Sequence, residues 1–201
     1  MLNEIINNLP KEKESAFFEN TPKDIYKQAF VDVTEKMQHP PIAISIGSHS
    51  FGSQIYPTSF ASYGNFSCLI GASKSRKTFL KSLLVASYIG GNTNQYAPNI
   101  RSHRSDNKFV VDIDTEQSRF DTQRVMKRVC DLVGSNYEFY KPFALRPYSH
   151  IQRVQFIEFV LYESELRGNI GLMCIDGIAD LISDINNISE ANAIIQKLMK
   201  W

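Results

Sequence analysis

The chain has 201 residues, of which 43% are hydrophobic and 21% are charged, and its formal net charge is +1. This length and composition are typical of one globular domain with a small appendage, and the balanced charge excludes a general attraction to nucleic acid. Any DNA contact would therefore come from a local patch. The three cysteines, Cys68, Cys130 and Cys174, are far apart and have apolar neighbours, which predicts reduced core residues rather than disulfides or metal ligands.

Targeting signals are also missing from the sequence. No apolar run reaches the roughly 18 residues that a membrane-spanning helix needs. The first residues do not show the basic and then apolar pattern of a signal peptide. We therefore expect a cytoplasmic protein with no membrane partner.

Residues 1–39 predict an N-terminal helical extension and linker, ahead of a core that spans residues 40–201. The first nine residues could form two helical turns, and residues 11–20 read as a charged connector. Thr21 and Pro22 are a good helix start, and the apolar stripe that follows predicts a helix ending before Pro40. Such a stripe packs either on its own domain or on a neighbouring subunit.

The core is expected to begin with two extended stretches. Residues 42–46 alternate as IAISI, and a looser extended stretch covers residues 54–60. The Gly and Ser residues between them favour a turn, so this region predicts an antiparallel flap that precedes the rest of the core.

The stretch from Phe66 to Ala86 predicts a buried strand, a small-residue loop and a helix. Residues 66–70 end in a short apolar run, the GASKS sequence has turn chemistry, and Thr78 opens a helix with leucines at helical spacing. With one exception, this order and sequence match the phosphate-binding pattern G-x-x-x-x-G-K-[ST]. A surface turn rich in Ser and Lys is the alternative interpretation.

The residues of this pattern have distinct chemical roles. Backbone N–H groups surround a polyphosphate, a lysine such as Lys77 reaches its outer phosphates, and a hydroxyl such as that of Thr78 holds Mg²⁺. Gly71 fits the first glycine, but Arg76 occupies the position of the second. A side chain is tolerated there only if the residue keeps a negative φ, although the arginine adds a cation beside a helix N-terminus.

Two later strands are predicted to end in carboxylates. Residues 108–113 predict a core strand, which is followed by Asp114 and Glu116, and residues 170–176 predict an apolar strand that ends in Asp176. Ligands of open α/β sheets bind at the carboxyl ends of the strands. The spacing therefore allows the loop and the acidic residues to converge on one edge of a parallel sheet.

Further elements are predicted between and after these segments. A helix with Phe120, Val125 and Val129 facing inward follows the acidic pair, and a short strand is expected near residues 143–145. Helices are predicted over residues 151–166 and from an N-cap at Ser189 to the end of the chain. The polar loop over residues 90–107 carries three basic side chains and is either a solvated excursion or a contact to nucleic acid or phosphate: Arg101, His103 and Arg104.

Three segments, GNFSCLIGASKSRKTF, VVDIDTEQS and IGLMCIDGIADLISDINN, together resemble the RecA-like ATPases. Within them, the chain is most similar to RepA-type and DnaB-type replication ATPases of bacterial plasmids and mobilizable transposons. The resemblance covers roughly residues 64–187. It implies an α/β RecA-like P-loop NTPase fold with a mostly parallel sheet and helices on both faces. It also implies strands beyond Asp176 that a chain ending at Trp201 would lack.

The resemblance also assigns roles to single residues. Lys77 would neutralise the β- and γ-phosphates, Glu116 would polarise the attacking water, and Thr78 and Asp176 would hold Mg²⁺, while Asp114 shapes the site. The whole ATP-binding segment would consist of Gly71, Ala72, Ser73, Lys74, Ser75, Arg76, Lys77 and Thr78.

The implied function is that of an ATP-binding protein, expected also to hydrolyse ATP, with ATP and Mg²⁺ as cofactors. It would act on single-stranded or double-stranded DNA during replication or mobilization of a plasmid or transposon, as a homo-oligomer or with other mobilization or replication proteins. The alternative is a non-catalytic nucleotide-binding scaffold that recruits such proteins, which Arg76 and the short C-terminus favour. A small-molecule kinase is disfavoured because no arginine-rich lid segment is evident.

Overall fold

The structure is a computed structural model that describes residues 21–72, 74–90, 97–103 and 107–201. The chain divides into two compact units, Met1–His39 and Pro40–Trp201. The second unit contains both β-sheets and every residue of the predicted site that the structure describes. The predicted helical turns over residues 1–9 and the connector after them lie outside the described residues.

Helix α1 (Pro22–Ala29) belongs to the first unit. Thr21 caps it through a capping box with Asp24, so the predicted start of this helix is confirmed. The helix ends at Ala29, about ten residues earlier than the sequence predicts. Asp32 explains part of the difference, because its carboxylate accepts hydrogen bonds from the backbone N–H and the hydroxyl of Thr34, which favours a turn over a helix.

The second unit begins with an antiparallel sheet. Strands β1 (Ile42–Phe51) and β2 (Gln54–Ser62) form the predicted antiparallel pair, and β3 (Ile100–Ser102) pairs with the other edge of β1. The strand order is β2-β1-β3. Because β3 falls within residues 90–107, the prediction of a continuous polar loop there is wrong.

The second sheet is parallel and contains three strands, β4 (Phe109–Asp114), β5 (Tyr140–Ala144) and β6 (Ile170–Asp176). Their order is β5-β4-β6, so the most buried strand lies in the centre. The α/β class is therefore confirmed. The prediction of one mostly parallel sheet is not confirmed, because the six strands in residues 21–72, 74–90, 97–103 and 107–201 divide equally between a parallel sheet and an antiparallel one.

Helices cover both faces of the parallel sheet. Val110 packs in one hydrophobic cluster with Leu84 and Val129, whereas Val111 and its same-face neighbours pack in another with residues of the C-terminal helices. The helices involved are α2 (Lys77–Gly90), α3 (Arg119–Val133), α4 (His150–Tyr162) and α5 (Ile188–Lys200), and a short 3₁₀ helix covers Ile178–Leu181. None of the helices in the described part of the chain has the length and apolar character of a membrane span.

The predicted buried strand over residues 66–70 is wrong. These residues form no strand, and Ile70 is 92% exposed. The Ser67 hydroxyl donates a hydrogen bond to the carbonyl oxygen of Phe60, which ties this segment to the end of β2. A side chain of this segment therefore contacts the antiparallel hairpin, and the segment adds no strand to the parallel sheet.

Three smaller predictions also fail. Cys68 is exposed rather than buried, although all three cysteines are free as predicted. Phe120 is 73% exposed, whereas Val125 and Val129 face inward as predicted. The side chain of Asn187, not Ser189, caps helix α5, because it accepts hydrogen bonds from two backbone N–H groups of the first turn.

Candidate functional site

The loop between Ile70 and helix α2 folds back on Lys77, the first residue of that helix. The Lys77 ammonium donates hydrogen bonds to the carbonyl oxygens of Gly71, at 2.9 Å, and Ala72, at 3.1 Å. The backbone N–H of Ser75 also donates to the carbonyl of Ala72, at 3.2 Å. The described loop residues are thus curled around the lysine that the sequence pattern assigns to phosphate. Ser73 lies outside the described residues.

Arg76 does not meet the condition of a negative φ. Its φ is +64° and that of Lys74 is +63°, so both residues adopt a left-handed conformation that side chains disfavour. The carbonyl oxygen of Arg76 accepts hydrogen bonds from the N–H groups of Phe79 and Leu80, which starts helix α2. The phosphate-binding pattern has glycine where this chain has Arg76, and this backbone conformation explains why glycine suits the position.

Gly71 and Thr78 complete the described loop. A Cβ atom at Gly71 would lie 2.7 Å from the hydroxyl oxygen of Ser75, so this turn has no room for a side chain unless Ser75 moves. Thr78 is half-buried in the first turn of α2. Its backbone carbonyl accepts a hydrogen bond from the hydroxyl of Ser82.

The acidic residues after β4 are fixed by a local turn. One carboxylate oxygen of Asp114 accepts hydrogen bonds from the backbone N–H groups of Glu116, at 3.0 Å, and Gln117, at 2.9 Å. This side-chain turn stops the strand and places Glu116 beside the end of the sheet. The other oxygen of Asp114 is buried and accepts no hydrogen bond from the described residues.

Thr115 joins the ends of β4 and β6. Its backbone N–H donates to the carbonyl oxygen of Asp176 at 3.1 Å, and its hydroxyl lies 2.8 Å from a carboxylate oxygen of Asp180. Gly177 follows β6 with φ +99°, and a Cβ atom there would overlap the Thr115 hydroxyl and lie 2.9 Å from Cγ of Glu116. The absence of a side chain at Gly177 therefore lets Glu116 lie against the end of β6.

The pKa of Glu116 is affected by charges both at the ends of the strands and at the start of helix α2. Partial burial and the carboxylates of Asp176, Asp180 and Asp114 raise its pKa, and the Lys77 ammonium opposes them. Lys77 and the acidic residues thus act on the same side chain. The loop carbonyl oxygens bind Lys77, and Glu116 follows β4 at the edge of the parallel sheet where β6 ends in Asp176.

The residues at this edge fit a magnesium ion only in part. One carboxylate oxygen of Asp176 is buried and accepts no hydrogen bond from the described residues, but it lies 3.5 Å from the Lys81 ammonium. No cluster of three or more His, Cys, Asp or Glu side chains suited to a metal occurs among the residues described. Mg²⁺ usually keeps several waters and takes one or two carboxylates together with substrate phosphates, so the donors fit a metal that arrives with a polyphosphate.

A buried charged cluster lies behind this edge, and the sequence analysis did not find it. The Lys81 ammonium lies 2.8 Å from one oxygen of Asp112 and 3.5 Å from the buried oxygen of Asp176. The Tyr140 hydroxyl donates a hydrogen bond of 2.7 Å to the other oxygen of Asp112. Two sequence signals could have indicated the cluster: Lys81 lies one helical turn after Lys77, and Asp112 interrupts an apolar strand.

The charges of this cluster shift the pKa values of its members. Burial alone would lower the pKa of Lys81, but the carboxylates of Asp112 and Asp176 raise it above its ordinary value. Burial and the Asp112 carboxylate raise the pKa of Tyr140, and the same two causes raise that of the Cys174 thiol to about 12. Lys81 is therefore a buried cation, and Tyr140 and Cys174 remain protonated.

Two other candidate features lie outside this site. A groove of about 820 Å³ borders β5 and contains none of the predicted site residues; its lining includes Arg119, Phe143 and Phe156. Of the predicted basic loop, Arg101 is exposed on β3, and a ring nitrogen of His103 lies 3.2 Å from the hydroxyl of Ser45. Arg104 lies outside the described residues.

The described site therefore combines a curled loop with a lysine, a hydroxyl at a helix start and two carboxylates at the end of a parallel sheet. Lys77 and Glu116 come from different segments and interact electrostatically, and the carboxylate of Asp176 at the end of β6 also acts on Glu116. Comparisons with protein-family models, with curated proteins and with solved structures found no match to this chain.

Proposed function

We propose that this protein binds Mg-ATP through the loop at residues 71–78 and hydrolyses it, as a RecA-like P-loop domain. The observation that carries the proposal is the position of Lys77, whose ammonium is held by the loop carbonyls while its charge acts on Glu116. A lysine at the start of a helix, beneath a curled loop and beside carboxylates at the carboxyl end of a sheet, is the arrangement that polyphosphate binding requires.

The loop would bind the triphosphate by exchanging hydrogen-bond partners. The Lys77 ammonium would leave the carbonyl oxygens of Gly71 and Ala72 and bind phosphate oxygens, which carry more negative charge. The free N–H groups at the start of helix α2 and the positive end of its dipole favour the same anion. The exposed guanidinium of Arg76 adds a second cation at this end of the helix.

The Thr78 hydroxyl and two carboxylates would have the remaining roles. Thr78 and Asp176 would hold the magnesium ion, which when bound neutralises charge on the phosphate oxygens. Glu116 would accept a hydrogen bond from the attacking water and orient it toward the γ-phosphate. Its raised pKa makes it a stronger base than an ordinary glutamate, although positioning contributes more to phosphoryl transfer than proton removal does.

The biological role that we propose follows from the resemblance of the three sequence segments to RepA-type and DnaB-type ATPases. The protein would act in the cytoplasm on single-stranded or double-stranded DNA, during replication or mobilization of a plasmid or transposon. It would work as a homo-oligomer or with other replication or mobilization proteins. The small net charge of +1 means that a DNA contact would depend on a local basic surface.

Binding of Mg-ATP to two variants tests the proposal. Lys77→Ala should weaken binding by about 10- to 100-fold, because it removes a charged hydrogen-bond donor to phosphate. Glu116→Gln should keep the binding but lower turnover by about 10²-fold or more. Lys127→Ala, an exposed substitution on helix α3, is the matched control. Thermal stabilisation and steady-state ATP hydrolysis are the two measurements. Equal binding by the Lys77→Ala and parent proteins would contradict the site.

A non-catalytic nucleotide-binding scaffold is the second candidate function. The left-handed conformation of Arg76 favours it, because a side chain at the position of a loop glycine could keep the phosphates from the geometry needed for transfer. ATP hydrolysis with and without single-stranded DNA separates the two functions. A DNA-dependent motor should hydrolyse ATP faster with DNA, whereas a scaffold should bind Mg-ATP without turnover in either condition.

A further inference from the structure

Lys81 is a buried cation shared by two acidic residues of the parallel sheet. Its side chain is only 8% exposed, its ammonium contacts Asp112 at 2.8 Å, and it lies 3.5 Å from the buried oxygen of Asp176. Asp112 is completely buried and receives a second hydrogen bond from Tyr140. Two donors, Lys81 and Tyr140, thus compensate the negative charge of Asp112. Lys81 is also the cation nearest to the buried oxygen of Asp176.

Lys81 approaches one oxygen of Asp176. This oxygen is buried and accepts no hydrogen bond from the described residues. The side chain of Asp176 as a whole keeps 14% of its surface exposed, so it is not closed off completely behind Lys81. A positive charge behind a carboxylate fixes its orientation and reduces its attraction for a second cation in front.

We propose that Lys81 is a positioning residue that holds Asp176 and keeps its affinity for a free divalent cation low, so that the metal binds together with the nucleotide. This inference rests on the proposed function, because it assigns a regulatory role to a neighbour of the same site. A polyphosphate would bring the additional oxygen ligands and negative charge that the site lacks while Lys81 shares the charge of Asp176.

The paired substitution Lys81→Met with Asp112→Asn tests the proposal. It removes the cation together with its principal anion, so that the net charge of the cluster does not change, and the side chains keep similar volumes. The side-chain oxygen of the asparagine can still accept the hydrogen bond of Tyr140. The probe is Mn²⁺ alone, which is measured by electron paramagnetic resonance without nucleotide. We expect the paired variant to bind Mn²⁺ about tenfold more tightly than the parent protein.

Asp112→Asn alone provides a second test with the opposite sign. Lys81 then has Asp176 as its remaining carboxylate partner, so Mn²⁺ should bind more weakly than to the parent. The matched control is Lys197→Met with Glu158→Gln, which removes an ion pair between helices α5 and α4. The control should leave Mn²⁺ affinity unchanged. A purely structural role of Lys81 would change the melting temperature of the variants but not their Mn²⁺ affinity.

Several results would overturn the proposal. These are an unchanged or weaker Mn²⁺ affinity of the paired variant, an increase of the same size in the control, or tighter binding by Asp112→Asn alone. If the paired variant does not fold, the comparison of Asp112→Asn with the parent decides the question. Failure of the parent protein to bind Mg-ATP would instead contradict the proposed function, and the nucleotide-free Mn²⁺ comparison would still decide the role of Lys81.

Discussion

Asp114 and Asp176 are register partners at the last paired position of strands β4 and β6, and each has one buried carboxylate oxygen that accepts no hydrogen bond from the described part of the chain. Two carboxylates in adjacent positions repel each other unless other groups compensate their charges. Backbone N–H groups compensate Asp114, and the Lys81 ammonium compensates Asp176. The two residues therefore occupy equivalent places in the sheet but have different partners.

Asp114→Ala should lower both stability and turnover. The substitution leaves the N–H groups of Glu116 and Gln117 without their acceptor, so we expect the free energy of unfolding to fall by about 1–3 kcal/mol. ATP hydrolysis should fall as well, because Glu116 loses its fixed position. Urea denaturation and steady-state hydrolysis measure the two effects. The exposed control Asp131→Ala should change stability by less than about 0.5 kcal/mol, and an equal loss in both variants would contradict the turn.

Arg76→Gly should stabilise the protein. Glycine adopts the φ of +64° without strain, although it also makes the unfolded chain more flexible, so we expect a net gain of about 0.5–1 kcal/mol in the free energy of unfolding. Arg76→Ala removes the same charge but keeps a Cβ atom, and it should bring no gain. Chemical denaturation of the three proteins makes the comparison. An equal gain from alanine and glycine would mean that charge rather than backbone strain is responsible.

Glu116→Gln should stabilise the protein increasingly as the pH rises. The raised pKa means that folding penalises the ionised form of Glu116, a penalty that is absent at pH values below the pKa in the unfolded chain. The stability difference between the variant and the parent should therefore be small in acid, grow as the pH passes through the unfolded and then the folded pKa, and remain at neutral pH. Denaturation at several pH values measures this, with the exposed substitution Glu165→Gln as control. A difference independent of pH would contradict the electrostatic cause.

The pH profile of ATP hydrolysis should also report the ionisation of Glu116. The acid limb of its pH profile should have a midpoint above the ordinary pKa of a glutamate, because the ionised carboxylate must orient the water.

Gly177→Ala should disrupt the contact between the ends of β4 and β6. Its φ of +99° disfavours any side chain, and the new methyl group would overlap Thr115 and press on Glu116. We expect a loss of about 2–4 kcal/mol in the free energy of unfolding and of most ATP hydrolysis. Gly168→Ala is the control, since its φ is +74° and no atom lies within 4 Å of the added Cβ. It should cost only about 1 kcal/mol, and equal losses would contradict the packing argument.

Local patterns in the sequence predicted much of the fold. Strands β4 and β6 are apolar runs that end in aspartate, and the helices have apolar residues at helical spacing, so each is visible within a short window. The segment over residues 66–70 has the same composition but forms no strand. Strand pairing depends on contacts with distant neighbours, and here the hydroxyl of Ser67 binds the carbonyl oxygen of Phe60 at the end of β2. The amino-acid composition of a segment does not show which distant neighbour the segment will contact.

The candidate site was predictable to a similar extent. Lys77, Glu116 and Asp176 could be named because they follow recognisable elements, whereas their ATP, magnesium and DNA partners remain predictions. The left-handed φ of Arg76 and the contacts of Lys81 were not predictable from the pattern. The φ of Arg76 depends on the path of the loop. The contacts of Lys81 depend on how helix α2 crosses two strands of the sheet.

Gly171, in strand β6, lies against the side chain of Tyr88 on helix α2. A Cβ atom there would overlap the hydroxyl of Tyr88, which itself lies 2.8 Å from the hydroxyl of Tyr63. Tyr88 is eleven residues, or about 16 Å of helix, from Lys77. A larger residue at Gly171 would have to displace the ring of Tyr88 or the side chain of Lys108. The contact between strand β6 and helix α2 therefore depends on the absence of a side chain at Gly171.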